Sequence, residues 1–170
     1  MVGDFVATQK DLQTDLMKSD VIGMGSYNSD SHNVQRFVND KGFVENEGDV
    51  QVGVKPYQIP YRVLLPKKEE AENLLVPVCF SASHIAYSSL RMEPQYMILG
   101  HAAGIAAALA VKSNKAVQEV ELPALQKMLT SEGAVFELGL EHQARGLTAI
   151  RQLYPAPARK EPAPWARPQK

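Results

Sequence analysis

The sequence predicts an α+β fold: a mixed or antiparallel sheet over residues 20–80, then a long buried helix, then a small helical end. Three observations carry this. Residues 21–65 hold short apolar runs, several of them alternating, separated by Gly, Asn, Asp and Pro, which is the punctuation of short strands. Leu74, Leu75, Val76 and Val78 form a nearly continuous apolar run, the pattern of a strand buried on both faces. From Pro94 to Lys112 only two glycines interrupt a run of helix formers, and proline suits a first helical turn, where no backbone donor is needed.

Taken in order, Thr8-Gln9-Lys10-Asp11 is a capping-box pattern opening a short helix through Leu12 and Leu16. Residues 21–27 read as a strand whose glycines, Gly23 and Gly25, invite comparison with a phosphate-cradling GxGxxG turn. The comparison fails: the third glycine position is Asn28, and Ser29-Asp30-Ser31-His32 opens no apolar helix. Phe37-Val38 and Phe43-Val44 flank Asn39-Asp40-Lys41-Gly42 as a hairpin with glycine at the positive-φ position. Residues 50–54 alternate, so one face of that strand is buried. Residues 57–65 form a further strand with Ile59, Tyr61, Val63 and Leu65 on one face, and Pro60, lacking a ladder donor, marks it as an edge or a bulge. The charged block 67–72 connects to the buried strand 74–78 and to the polar loop Ser81-Ala82-Ser83-His84.

Gly100 and Gly104 fall four apart in the long helix with Ala108 next in line, so one face is nearly bare backbone and a close neighbour is expected on it. Its apolar core, residues 96–111, spans roughly 24 Å, short of a hydrocarbon layer of about 30 Å; with His101 inside it, a buried helix is expected rather than a membrane span. Beyond it, Leu122, Leu125, Met128 and Leu129 recur at helical spacing between Pro123 and Gly133. Residues 135–138 suggest one more strand, Leu140, Ala144, Leu147 and Ile150 a last helix, and the proline-rich residues from 155 onward a disordered tail.

With 170 residues the chain can bury roughly 70% of its surface. Its 18 Lys and Arg nearly balance 19 Asp and Glu, a charge distribution that disfavours nucleic acid as a partner. The lone Cys79 forms no internal disulfide. Residues 1–13 show neither the basic start nor the apolar core of a secretory signal, which leaves the compartment open. Asp30 and His32 are two potential metal ligands, a number that arises by chance, and no metal site is assigned. Ser83 next to His84 is no hydrolase signature: neighbouring side chains point apart and no G-x-S-x-G elbow is present.

Several motifs in fixed order carry a resemblance. These are Asp30-Ser31-His32-Asn33, Asn46-Glu47-Gly48-Asp49, Lys55-Pro56-Tyr57-Gln58-Ile59-Pro60-Tyr61-Arg62, Asn73-Leu74-Leu75-Val76, Ser81-Ala82-Ser83-His84, Arg91-Met92-Glu93-Pro94 and Leu99-Gly100-His101-Ala102-Ala103. Together, over about residues 1–135, the chain resembles the C-terminal part of bacterial FAD-dependent oxidoreductases. The resemblance implies FAD as cofactor and a small-molecule substrate. With it the chain divides into a substrate-side β-rich region (1–72) and a flavin-facing strand, long helix and C-terminal helices (73–153), followed by the Pro/Ala-rich tail (154–170) that composition marks as disordered. In that family an N-terminal glycine-rich βαβ unit holds the adenosine and pyrophosphate. No such unit is visible here, so the expectation is a truncated or separately encoded C-terminal portion, inactive alone, with a separate Rossmann segment as partner. The alternative is a non-catalytic fragment or interaction module.

On this reading, Ser81, Ala82 and Ser83 lie at the carboxyl end of the buried strand, where open α/β sheets gather ligands, with loop capping as the alternative for both serines. Glu93, Pro94, Gln95 and Tyr96 begin the long helix, whose unpaired N–H groups and dipole suit the N1–C2=O edge of a flavin. His84 and Arg91 are the candidates for substrate contact, one exchanging a proton near neutral pH, the other fixing a carboxylate or a hydroxyl-rich ligand. Arg62 is a further candidate for the cleft, while core packing is the expected fate of Tyr61.

Overall fold

The computed structural model describes residues 1–138. Its strands form three two-stranded antiparallel ribbons instead of one continuous sheet. Strand β1 (Val21–Gly25) pairs with β6 (Tyr57–Pro60), β2 (Ser29–Ser31) with β5 (Val50–Val52), and β3 (Gln35–Val38) with β4 (Val44–Glu47). The helices are α1 (Gln9–Gln13), α2 (His84–Leu90), α3 (Glu93–Ser113) and α4 (Leu122–Ser131). The fold class is therefore α+β, with antiparallel pairing in every ribbon.

The core lies where β1–β6, α3 and α4 meet. Ile22, Ile59, Leu99, Ala102, Ala106, Leu125 and Leu129 are fully buried there. Gly23 lets α3 approach the ribbon: a Cβ at this position would overlap Cγ2 of Ile98. Helix α1 begins as its capping pattern requires, with the Asp11 carboxylate accepting from the Thr8 N–H at 2.8 Å and from its hydroxyl at 2.9 Å. Lys18, its side chain buried, pairs with Asp11 at 3.2 Å. Burial works to raise the Asp11 pKa, but the Thr8 hydrogen bonds and the Lys18 ammonium outweigh it and hold the carboxyl below its ordinary value of 3.8. Helix α4 starts with Pro123 in its first turn and is followed by Gly133 at φ 91°, and the β3–β4 turn places Gly42 at φ 81°.

Four expectations are corrected. Residues 74–78 form no strand, and Leu74 and Val78 are about half exposed (48% and 49%). Pro77 lacks a donor, and among the described residues no strand lies alongside; the segment makes separate bonds, Val76 N–H to Leu64 O at 3.0 Å and the Tyr87 hydroxyl to Val78 O at 3.3 Å, and just past it Ser81 N–H donates to Val63 O at 2.8 Å. Past Pro60 the chain winds into a 3₁₀ turn, Tyr61–Leu64. Asp20 caps that turn, its backbone oxygen accepting from Tyr61 N–H at 2.7 Å and its carboxylate from Arg62 N–H at 3.1 Å. Residues 135–138 contain no strand either. Finally, no described residue comes within 4 Å of a Cβ built at Gly100 or Gly104, so the glycine face of α3 is open. The helix expected over 140–150 and the proline-rich tail lie outside the described residues.

At 21 residues, α3 is long and apolar enough, by length and composition alone, to rank as a membrane-span candidate, so length does not separate it from one. Its distinguishing feature is sidedness. Gln95, Leu99, Ala102, Ala106 and Ala110 are buried against the protein's own core, whereas Met97 and Val111 are 74% and 82% exposed.

Candidate functional site

Helix α2 and strand β2 together position the candidate side chains. Ser83 is the N-cap of α2, its hydroxyl accepting from Ala86 N–H at 3.3 Å, which is the loop-capping role. His84 follows as the first helical residue, exposed, with Nε2 2.8 Å from Ser31 Oγ. Arg91 terminates the helix; its N–H bonds to Tyr87 O, and Nη2 donates to Asp30 O at 3.1 Å. Seven residues is close to two helical turns, so both candidates face one side of α2 and meet the same strand. Ser29 completes the seam, donating from Oγ to Ile85 O at 3.0 Å.

Around this seam stand groups the sequence did not single out. The Tyr27 hydroxyl donates to Asp30 Oδ2 at 3.2 Å. That hydrogen bond, and then the carboxylate's charge, push the phenol pKa up against the opposing influence of Arg91. Behind it, Ser89 donates to Tyr27 O and lies 2.6 Å from the Tyr57 hydroxyl, whose pKa burial raises to about 12.

The start of α3 lies two residues beyond Arg91. Tyr96 N–H bonds to Met92 O, and Pro94 has no N–H. No partner is found among the described residues for the N–H groups of Glu93 and Gln95. Gln95 is buried (7% exposed) and its Oε1 has no hydrogen-bond partner among the described residues, whereas most buried polar atoms are paired. The Tyr96 hydroxyl sits 2.8 Å from that of Tyr87, which reaches Val78 O at 3.3 Å. Burial, then the Tyr87 contact, push the Tyr96 pKa up to about 12.

The remaining predicted residues occupy structural positions. Ser81 is fully buried, its Oγ accepting from Gly3 N–H at 2.9 Å. Ala82 forms a parallel bridge with Ala7. Arg62, expected near the cleft, instead pairs with Asp20 at 3.4 Å and lies over the Phe5 ring at 4.3 Å. Tyr61 is buried, its hydroxyl donating to Val117 O at 2.8 Å. Among the described residues no three His, Cys, Asp or Glu side chains stand close enough to hold a metal ion.

A family model described as FAD dependent oxidoreductase matches residues 1–129 of the 170. The chain belongs to that family. No curated protein and no solved structure matches it. Membership makes this oxidoreductase a user of FAD by family, and the matched span contains both the α2–β2 seam and the start of α3. Sequence reasoning missed Ser31 as the partner of His84 and Asp30 as that of Arg91. Their signal was present as the polar run Ser29-Asp30-Ser31-His32, weighed there as a nucleotide loop, as metal ligands and as a family motif, but not as the neighbour of His84 and Arg91. The Tyr87–Tyr96 pair had no signal, because it spans the break between two helices.

Proposed function

We propose that this oxidoreductase supplies the flavin-ring and substrate side of a hydride-transfer site, residues 1–72 forming mainly the substrate side and residues from 73 onward the flavin side. When bound, FAD supplies the hydride acceptor or donor. The observation that carries the reading is the start of α3: two N–H groups and the buried Gln95 Oε1, none with a partner among the described residues, within one turn shortly after Arg91. A flavin's imide edge alternates carbonyl acceptors with one N–H donor, so this donor and acceptor set fits it. Glu93 and Gln95 would hold that edge, with Pro94 setting the turn and Tyr96 alongside. Ala82 and Ser83 would border the ribityl side, Ser81 supporting them from beneath.

The protein's own part in the chemistry is orientation and proton management. His84, exposed and hydrogen-bonded to Ser31, holds or releases a proton at Nε2, and Arg91 fixes the substrate with the guanidinium nitrogens not committed to Asp30 O.

A Rossmann segment with the glycine-rich turn, joined ahead of Met1 or separate, completes the reading. Two surfaces support it: half-exposed Leu74 and Val78 in a segment without a strand neighbour, and the open Gly100/Gly104 face of α3. The test is FAD titration of the purified protein followed by flavin fluorescence. Binding on the order of micromolar, weakened about tenfold or more by Gln95→Leu, supports the assignment. Binding indifferent to Gln95→Leu removes α3 from the site, and no binding, with or without a Rossmann segment from a family member, rejects the flavin role.

A further inference from the structure

Resting on that substrate side, the cleft next to β2 narrows the class of molecule it takes. Tyr27, Asn28, Ser29, Asp30, His32 and Gln51 line it, enclosing ≈ 400 Å³. Internal hydrogen bonds leave much of the lining's capacity unused. Asn28 Oδ1 accepts from Val54 N–H at 3.2 Å, leaving its NH₂ open. Asp30 Oδ2 is taken by the Tyr27 hydroxyl, leaving Oδ1 as an acceptor. No side-chain partner is found among the described residues for the Gln51 amide or the His32 ring. Tyr27 is 37% exposed and lines the cleft, and an aromatic side chain offers apolar surface for contact.

The charge pattern separates the two ligand classes open to Arg91. Asp30 is the one carboxylate in the lining, and the nearby Arg91 spends Nη2 on Asp30 O. An anionic ligand would meet the Asp30 carboxylate at close range in a lining that holds no Lys or Arg, with Arg91 offsetting that charge only from outside the lining, and like charges within a few ångströms repel. A neutral ligand rich in hydroxyls suffers no such penalty. One hydroxyl can donate to Asp30 Oδ1 and another accept from the Asn28 or Gln51 amide, while C–H faces rest on Tyr27. We infer that the cleft binds a neutral polyhydroxy compound, a sugar or polyol, and orders it along β2 toward His84 and Arg91.

The test is saturation-transfer NMR on the full chain with methyl glycosides of glucose, galactose and mannose, and with glucuronate and galacturonate as matched acids. At least one neutral glycoside is expected to bind more tightly than either acid. Tyr27→Ala and Gln51→Leu should each weaken it by about fivefold, the loss of roughly one contact. Gln51 is exposed on β5 and its side chain has no hydrogen-bond partner among the described residues, so its substitution leaves the β2–β5 backbone pairing in place. Tighter binding of an acid, glycoside binding unchanged in both variants, or no binding of any probe overturns the proposal. The FAD titration is read separately. Intact FAD binding with failed glycoside binding rejects the ligand class only, whereas the reverse rejects the flavin reading and leaves the cleft standing.

Discussion

Ribbons β1–β6 and β3–β4 share one architecture, two short antiparallel strands, and have opposite environments. Ile22 and Ile59 are fully buried, whereas every residue of β3 and β4 is exposed. The first ribbon is held by α3 and α4 packing on it. The second is held by its Gly42 turn and by cross-strand pairs, Gln35 to Glu47 at 3.1 Å and Arg36 to Asn46 at 2.8 Å, contacts that contribute only tenths of a kcal/mol to about 1 kcal/mol each. Strand pairing alone therefore says little about stability; burial decides it. The β2–β5 ribbon is intermediate in environment, with Ser29 buried against α2 and Gln51 exposed. That combination suits a binding site, one side anchored and the other open to ligand.

The contrast can be broken most forcefully in the core. Ile59→Ala is expected to lower stability by about 2–5 kcal/mol in urea unfolding, because little around a fully buried side chain can collapse into the cavity. Gly23→Ala drives a methyl into Ile98 and should cost about 1–3 kcal/mol. Much of that loss should return in the double variant with Ile98→Ala, and an unchanged loss would show that Ile98 is not the obstacle. In the exposed ribbon, Gly42→Ala forces a left-handed φ on alanine, with an expected cost of about 1–2 kcal/mol despite open space around it. Phe37→Ala, at a side chain 39% exposed in a ribbon outside the core, should stay within about 0.5 kcal/mol. A Phe37 effect as large as that of Ile59 would mean that another surface covers the hairpin.

A pH series sharpens the same contrast for charges. The Asp11 pKa is lowered in the folded state, so its stabilisation is complete above the ordinary value of 3.8 and is lost as pH falls through the lower folded value. The wild-type urea midpoint should therefore drop as the solution is acidified below about pH 4. Asp11→Asn should flatten that part of the curve.

Much of this was legible locally. The Gly42 hairpin, the Thr8 start of α1, the Pro123 and Gly133 limits of α4 and the start of α3 near Pro94 all rest on residues within a few positions of each other. What was not legible depends on distant partners. The run 74–78 has the composition of a buried strand, but a strand exists only beside another, and none of the described residues provides one. The turn at Tyr61–Leu64 depends on Asp20, 42 positions before Arg62. Arg62 looked available for a ligand until that carboxylate and Phe5 claimed it.

The site divides the same way. By itself the sequence determined that a long helix starts near Pro94, shortly after His84 and Arg91, because a first-turn proline is local physics, and its motifs sufficed to suggest the family, whereas the helix over His84–Leu90 was read only as a polar loop at its start. Only the tertiary structure decided what those residues face. Folding β2 against α2 brings Ser31 to His84 and Asp30 to Arg91 across 53 and 61 positions. It also leaves Gln95 Oε1 buried without a partner among the described residues, because hydrogen bonding and desolvation depend on which segments are brought together in space.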